Sequence, residues 1–181
     1  LRPAEPDDPP AHDLWVFGYG SLMWRPGFPY LDRQPATVRG YHRALCVYSH
    51  FHRGTPEAPG LVLGLDRGGA CRGVAFRVAR VHAAETIAYL REREQVTSVY
   101  LERFLPVKLA CGTAVRAVGY VVDRAHQQYA GRLPDDDLLR LVRQGVGRSG
   151  PNPDYVKATA EHLAELGVRD PLLARIAAAL R

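Results

Sequence analysis

The sequence predicts an α+β fold, in which strands dominate the first two-thirds of the chain and helices the last third. Short apolar or alternating runs, separated by Gly- and Pro-rich segments, continue to residue 122 and are typical of strands. Three helical segments follow at residues 134–144, 153–166 and 171–180, and each begins with Pro, which is favoured at the first position of a helix. Only one helix interrupts the strands, so the pattern is not the regular alternation of an α/β protein.

Length and composition predict one globular domain. The 181 residues can bury a core of ordinary size, and the 46% of apolar and 24% of charged residues match globular proteins rather than disordered ones. No apolar run reaches the roughly 18 residues that span a membrane, and no basic-then-apolar signal opens the chain. We therefore expect a cytoplasmic protein without a membrane partner, and we expect a monomer.

The basic residues do not indicate a nucleic-acid partner. The formal net charge is +5, but the 24 lysines and arginines, nearly all of them Arg, are scattered singly and form no basic run. A positive charge of this size remains compatible with a small anionic substrate.

Cysteine and histidine usage argues against a metal centre. Cys46, Cys71 and Cys111 are far apart, odd in number and outside any C-x-x-C motif, which favours a reducing compartment. His50 and His52 could place two ligands on one side of a strand, but no other ligand cluster accompanies them. The sequence therefore predicts no metal site.

The chain before residue 14 differs from the rest. Residues 1–13 carry four prolines and four acids and are predicted to form a disordered or loosely docked leader. The folded domain is expected to span residues 14–181.

The segment at residues 14–24, LWVFGYGSLMW, holds the first strand and a glycine-rich turn. Its first four residues are uniformly apolar and too few for a helix, as in a strand buried on both faces. The next four, here called the glycine turn (residues 18–21, GYGS), let the backbone approach a small molecule closely and free N–H groups to bind it. A glycine-rich turn with a purely structural role is the alternative.

Two common motifs are excluded at this turn. A dinucleotide-binding G-x-G-x-x-G needs a third glycine where Met23 stands. A nucleophile elbow, G-x-S-x-G, needs glycines where Tyr19 and Met23 stand. Neither Rossmann cofactor binding nor α/β-hydrolase chemistry is therefore indicated.

The elements after the glycine turn follow from the same kinds of pattern. In chain order they are a strand at 38–49, a long turn at 52–60, a β-hairpin of 61–65 and 71–78 across 66–69, a helix from 83 to 93 or 95, and a second hairpin of 100–110 and 113–122 across 111–112. The three C-terminal helices complete the chain, with Asn152 and Asp170 as predicted N-caps of the last two.

The inserted helix places one carboxylate on its apolar face. Ile87 and Leu90 define that face, and Glu94 follows them by seven and four residues, so it lies on the same stripe. Glu92 points about 140° away from Ile87 and should face water. Burial near the negative end of a helix favours the protonated carboxyl, and a raised pKa suits general acid/base catalysis. Alternatively, Glu94 pairs with a buried Arg or leaves the stripe where the helix frays.

A second glycine-rich segment lies at residues 145–155, GVGRSGPNPDY. Its G-x-G-x-x-G follows a helix rather than a strand, so the context of a dinucleotide site is absent. Tyr155 falls in the first turn of the next helix, where its hydroxyl could join the positive helix N-terminus in binding a carboxylate. A tyrosine that only covers the core is the alternative.

Together these motifs resemble the ChaC-type γ-glutamylcyclotransferases over about residues 14–176. The resemblance rests on four segments in order: VFGYGSL with Trp24, HRGTP with Pro59-Gly60, YL leading to Arg93-Glu94, and S-G-x-N-x-x-Y ending at Tyr155. One departure follows Glu94, where family members often have a Thr-Gly or Gly-Gly pair before a Tyr. Here residues 95–100, QVTSVY, contain no glycine.

The resemblance implies a small distorted β-barrel with surrounding helices and the cofactor-free cleavage of glutathione into 5-oxoproline and cysteinylglycine. It also implies that Glu94 is the catalytic acid/base. Tyr155 is a further expected substrate contact, and the residues implied to bind the γ-glutamyl group are Val16, Phe17, Gly18, Tyr19, Gly20, Ser21 and Leu22. Two alternatives remain open: cyclisation of another γ-glutamyl compound, and a non-catalytic binding or regulatory module linked to cation transport.

Overall fold

The structure, a computed structural model, describes residues 11–95 and 97–181. Within these residues a β-barrel is surrounded by helices, which confirms the predicted α+β class. Residues 1–10 of the predicted leader lie outside the described part, and Asp13 lies 3.7 Å from Arg77 of the barrel and accepts a hydrogen bond of 3.0 Å from the Arg80 backbone N–H just after it. The elements are β1 (Leu14–Gly18), β2 (Asp32–Ser49), β3 (Gly60–Val78), α1 (Ala83–Glu94), β4 (Tyr100–Leu109), β5 (Ala114–Val122), α2 (Asp135–Gln144), β6 (Val146–Gly147), β7 (Gly150–Pro151), α3 (Asn152–Glu165) and α4 (Pro171–Ala179).

Five strands close the barrel in the order β1-β3-β2-β4-β5. Neighbouring strands are antiparallel except β1 and β5, whose short parallel pairing sets Trp15 opposite Ala117 and Val16 opposite Val118. β1 is thus hydrogen-bonded on both sides, and Val16 and Phe17 are fully buried. A strand in this position has to be apolar without alternation, so the predicted strand before the glycine turn is confirmed.

The predicted hairpin across residues 66–69 is wrong, because β3 continues through them without reversing. β3 pairs with β2 along its length, and the register shifts where Gly68 and Gly69 stand opposite Gly40. These glycines have positive φ angles of 99°, 71° and 89°, and they bend both strands at a β-bulge instead of forming a turn. β2 also starts earlier than predicted, at Asp32.

The predicted helices and the second hairpin are confirmed, and the helix bounds agree to within one residue. Asp170 caps α4 as expected, since its carboxylate accepts a hydrogen bond of 3.0 Å from the Leu173 N–H. One large cluster of buried apolar side chains runs from the barrel into α2, α3 and α4, so these helices are fixed on the barrel by burial of their apolar faces. In the part of the chain that the structure describes, no helix is long and apolar enough to cross a membrane.

Asn152 does not cap α3, contrary to the prediction. Its side chain is fully buried and pairs with the edge of β3, where Oδ1 accepts a hydrogen bond from Leu61 N and Nδ2 donates one to Leu61 O, both at 2.8 Å. A buried amide needs partners for both of its polar groups, and the backbone of β3 supplies them. The start of α3, and with it Tyr155, is therefore fixed against β3.

Candidate active site

A cavity of about 510 Å³ opens where several predicted segments meet. The glycine turn, the end of α1, the loop between β2 and β3, the β7–α3 region and the first residues of β3 and β4 all contribute to its wall. Of the expected site residues, those that line the cavity are Phe17, Tyr19, Gly20, Ser21, Leu22, Glu94 and Tyr155.

Two expected site residues lie outside this wall. Val16 is fully buried in β1, between Phe76 and Val118 of the neighbouring strands. Gly18 packs inside the turn, where an added Cβ would lie 3.0 Å from the Cβ of Leu22. Both residues therefore support the shape of the turn rather than present groups to the cavity.

Within the glycine turn, the backbone at Gly20 has open space beside it. A 3₁₀ turn begins at Ser21, the last residue of the glycine turn, and Met23 N donates a hydrogen bond of 2.9 Å to Gly20 O. The geometry of a 3₁₀ helix leaves the preceding N–H groups, those of Ser21 and Leu22, without an intrahelical acceptor. A Cβ added at Gly20 would meet only Leu63 Cδ1, at 3.7 Å, so the missing side chain leaves room in the cavity.

Arg43 and Arg93 hold the glycine turn from two sides, and sequence reasoning singled out neither of them for this role. Arg43 is almost fully buried and donates from Nε to Tyr19 O at 2.6 Å. Arg93 donates from Nη2 to Ser21 Oγ at 2.9 Å and from Nη1 to Arg25 O at 2.6 Å. The first contact attaches the turn to β2, and the second attaches it to the end of α1.

Glu94 presents the carboxylate of the cavity. Its side chain is 19% exposed, whereas Glu92 lies on the solvent face and Leu90 is fully buried, as the helical geometry predicted. Burial raises the pKa of Glu94 above the ordinary value of 4.5, and the nearby positive charge of Arg93 partly opposes this increase. The Arg93 Nε atom lies 3.6 Å from Glu94 Oε1, so burial and a neighbouring Arg both act on this carboxylate.

Three tyrosines of the wall keep their hydroxyl protons. Tyr155 accepts a hydrogen bond of 3.1 Å from Leu63 N, and Tyr100 donates one of 2.7 Å to Leu63 O. Burial raises the pKa of Tyr155 to about 12 and the pKa values of Tyr19 and Tyr100 well above their usual range. Because the bond from Leu63 uses Tyr155 as acceptor, the Tyr155 hydroxyl proton remains free for a ligand.

The loop between β2 and β3 adds cations to the cavity. His52 Nδ1 and Ser149 Oγ are joined by a hydrogen bond of 2.9 Å, which links this loop to the β6–β7 turn. Arg53 donates to Pro151 O at 3.2 Å, and its guanidinium lies 5.5 Å from the centre of the Tyr155 ring. With Arg25 and Arg93, Arg53 makes the wall positive except at Glu94, which is the sole acid among the described lining residues.

The described residues do not assemble a metal site. No three His, Cys, Asp or Glu side chains among residues 11–95 and 97–181 lie close enough together to hold an ion. His50 stacks on Tyr48 with ring centres 6.4 Å apart, while His52 bonds to Ser149.

The fold is that of the γ-glutamylcyclotransferases. A crystal structure described as a γ-glutamylcyclotransferase specific to glutathione, from yeast, superposes with a TM-score of 0.83 over 93% of this chain and 96% of its own, at 23% sequence identity. Residues 14–181 match the family described as ChaC-like protein, and the chain belongs to that family.

Two relatives illustrate the relationship in sequence. The chain is 33% identical over 165 residues to the glutathione-specific γ-glutamylcyclotransferase of Escherichia coli K12, covering 91% of this chain and 70% of that protein. It is 35% identical over 170 residues to glutathione-specific γ-glutamylcyclotransferase 1 of Homo sapiens, covering 91% and 75%.

Proposed function

We propose that this protein is a glutathione-specific γ-glutamylcyclotransferase with Glu94 as its general acid/base. The observation that carries the proposal is the position of Glu94, because a partly buried carboxylate with a raised pKa shares one cavity with the glycine turn. Membership of the ChaC-like family and the names of the relatives support glutathione as substrate.

The reaction needs no nucleophile from the protein. The α-amine of the γ-glutamyl group attacks its own γ-carbonyl carbon, and the bond from that carbon to the Cys nitrogen breaks. The attacking nitrogen starts as an ammonium and ends as a lactam N–H, so it loses two protons, and the departing nitrogen gains two. In the tetrahedral intermediate both nitrogens are bonded to one carbon, so a single carboxylate beside it can carry protons from one to the other. Glu94 has this role in the proposal.

The glycine turn and Tyr155 supply the matching donors. Ser21, Leu22 and Tyr155 line the same cavity, and the N–H groups of Ser21 and Leu22 and the Tyr155 hydroxyl proton have no acceptor within their own elements. Donors fixed in advance at a site with little water stabilise a developing oxyanion or hold the α-carboxylate of the γ-glutamyl group. Folding the γ-glutamyl chain so that its amine meets its carbonyl provides further acceleration by proximity.

The arginines of the wall favour glutathione over smaller γ-glutamyl compounds. Arg25 and Arg53 line the cavity in addition to the turn and Glu94. The glycine carboxylate at the far end of glutathione is an anion for which these cations are suited, because Arg binds carboxylates with two parallel hydrogen bonds. A γ-glutamylamine lacks this group.

A substrate panel tests the proposed function. Purified protein is incubated with reduced glutathione, with γ-glutamyl amino acids and with a γ-glutamylamine, and 5-oxoproline is measured over time. We expect release of 5-oxoproline and cysteinylglycine from glutathione without added metal or nucleotide, with a kcat/KM at least about tenfold above the other compounds. Equal turnover of all compounds would contradict glutathione specificity. If none of the compounds released 5-oxoproline, the catalytic proposal would fail and the non-catalytic binding module would be the remaining alternative.

We further propose that the protein acts as a monomer, without a cofactor, in a reducing compartment such as the cytoplasm. A reducing compartment is supported by the three cysteines, which are free, with Cys46 and Cys71 buried and Cys111 exposed. Light scattering after size-exclusion chromatography gives the mass in solution, and a value near twice the 20.0 kDa of the chain would contradict the monomer.

A further inference from the structure

A second and larger cavity, of about 850 Å³, shares no lining residue with the candidate active site. It lies between the bend of β2 and β3, the segment after β5 and the start of α4, and is here called the arginine groove. Seven arginines from these elements line it. Such convergence was not visible in the sequence, where the arginines are scattered singly.

Three of the seven arginines are neutralised by aspartates of the same groove. Arg124 Nε donates to Asp66 at 2.7 Å, Arg175 Nε donates to Asp135 at 2.6 Å, and Arg43 Nη1 lies 3.4 Å from Asp170. The aspartates have further donors: Asp66 also accepts from the Tyr129 hydroxyl, and Asp170 from the Leu173 N–H. These acids are therefore occupied by the partners they already have.

The other four arginines carry the uncompensated charge of the groove. Arg67, Arg72, Arg132 and Arg169 have exposed side chains, and none of them forms a side-chain hydrogen bond or ion pair with the described residues. Seven arginines against three aspartates leave an excess of four positive charges. A cleft lined by one sign of charge concentrates the electrostatic field and attracts counter-ions of the opposite sign.

We propose that the arginine groove is a binding site for a small polyanion that carries phosphate groups. The planar guanidinium fork binds phosphate with two parallel hydrogen bonds, and its charge does not titrate at physiological pH. The volume lies within the range of roughly 300–1,000 Å³ that is usual for small-molecule sites. A multiply charged phosphate compound matches an excess of four charges better than a singly charged carboxylate does.

Arg43 connects this groove with the glycine turn. Its Nη1 atom faces Asp170 in the groove, its Nη2 donates to Arg72 O at 2.6 Å, and its Nε donates to Tyr19 O in the wall of the candidate active site. An anion near Arg72 and Arg169 competes with Asp170 for this guanidinium, and any shift of Arg43 moves the carbonyl that precedes Gly20. Binding in the groove is therefore coupled to the glycine turn.

Calorimetric titration of the full chain with inorganic tripolyphosphate tests the binding site and does not depend on the proposed function. The double variant Arg132→Gln/Arg169→Gln removes two unpaired charges of the groove, and Arg33→Gln/Arg181→Gln removes two exposed charges elsewhere as the matched control. We expect saturable binding to the wild type, weakened at least about tenfold in the groove variant and at most about twofold in the control.

Three results would overturn the site: no saturable binding, equal weakening in both double variants, or loss of binding in Gly20→Val, which would place the anion in the other cavity.

The coupling has its own test, which rests on the proposed function. Saturating tripolyphosphate should change the kcat or KM for glutathione at least about twofold in the wild type and not in Arg132→Gln/Arg169→Gln, and glutathione should change the affinity for tripolyphosphate reciprocally. Unchanged kinetics at saturation would overturn the coupling and leave the binding result as measured.

Discussion

Replacing Glu94 by Gln should abolish turnover while leaving the fold and substrate binding intact. Gln has nearly the size of Glu and forms hydrogen bonds through its amide, but it cannot exchange a proton. The side chain is 19% exposed and lies in the cavity wall, so the substitution creates no buried void. The change therefore tests proton transfer by this residue and little else.

The expected loss follows from the number of proton transfers assigned to Glu94. A general acid/base contributes about 10² to 10⁴-fold in rate, and a carboxylate that serves both the attacking and the departing nitrogen should lie near 10³ to 10⁴. At about 1.36 kcal/mol for each factor of ten, this loss corresponds to roughly 4 to 5.5 kcal/mol of barrier height. The loss should appear in kcat, with KM changed little, because the interaction is made mainly in the transition state.

The assay is the initial rate of 5-oxoproline release from glutathione for wild type, Glu94→Gln and Glu92→Gln. Glu92 belongs to the same helix and lies on its solvent face, so it controls for the loss of one negative charge from α1. Activity above about one tenth of the wild type in Glu94→Gln, which lies well outside the usual range for such a group, would refute the assignment. Greater damage from Glu92→Gln would refute it equally.

Four further outcomes are expected. Gly20→Val should lower kcat/KM at least about tenfold by filling the cavity, because an added Cβ has only one neighbour, at 3.7 Å, and the space beside Gly20 is otherwise open; unchanged kinetics would make the turn purely structural. Tyr155→Phe should lower kcat/KM by a factor that corresponds to about 1 to 2 kcal/mol of transition-state stabilisation, and it should reduce thermal stability because Leu63 N loses its acceptor. Unchanged kinetics would assign this residue a packing role only. Burial raises the pKa of Glu94 in the folded state, so the stability of the wild type relative to Glu94→Gln should be greatest below pH 4.5. This difference in stability should shrink as the pH rises through the raised pKa. Melting curves with the opposite trend would show that this carboxylate is not desolvated. Activity should survive EDTA, and a loss that zinc restores would contradict a reaction without metal.

The elements that depend on local chemistry could be predicted from the sequence. A helix at 83–94 follows from the spacing of apolar residues, and Asp170 caps α4 because the hydrogen bond to Leu173 joins residues three apart in the chain. The side of α1 that carries Glu94 follows from the same helical geometry. Each of these features is determined within a few residues and needs no knowledge of the tertiary structure.

The incorrect predictions have a common physical cause, which is that one residue type serves two structures. Gly68 and Gly69 provide positive φ angles, and these suit a two-residue hairpin as well as the β-bulge that faces Gly40. Asn152 is a good helix cap, and its amide is equally good at pairing with the backbone of Leu61. In both cases a partner distant in sequence selects between the two structures, so local patterns could not decide.

The arginines that hold the glycine turn could not be identified for a related reason. Arg43 reaches Tyr19 O from a position 24 residues along the chain, and Arg93 reaches Ser21 Oγ from 72 residues away. An arginine on a strand or helix surface has no local signal that distinguishes a buried clamp from a solvated charge. The pairing of β1, β3 and β2 brings Arg43 to the turn, and the docking of α1 brings Arg93 to it, so both contacts depend on the tertiary fold.

The adjacent positions of Arg93 and Glu94 on α1 explain how the fold places the carboxylate and which groups act on its pKa. Successive side chains on a helix diverge by about 100°, so when Arg93 points at the glycine turn, Glu94 points to a different side of α1, and that side faces the cavity. The hydrogen bonds of Arg93 to Ser21 Oγ and to the Arg25 carbonyl fix the end of the helix, and through it the distance between the carboxylate and the turn. The same guanidinium lies 3.6 Å from Glu94 Oε1 and opposes the increase in pKa that burial causes. A proton carrier has to be charged when it accepts a proton and neutral when it donates one, so a carboxylate held between these two influences suits a reaction that requires both steps.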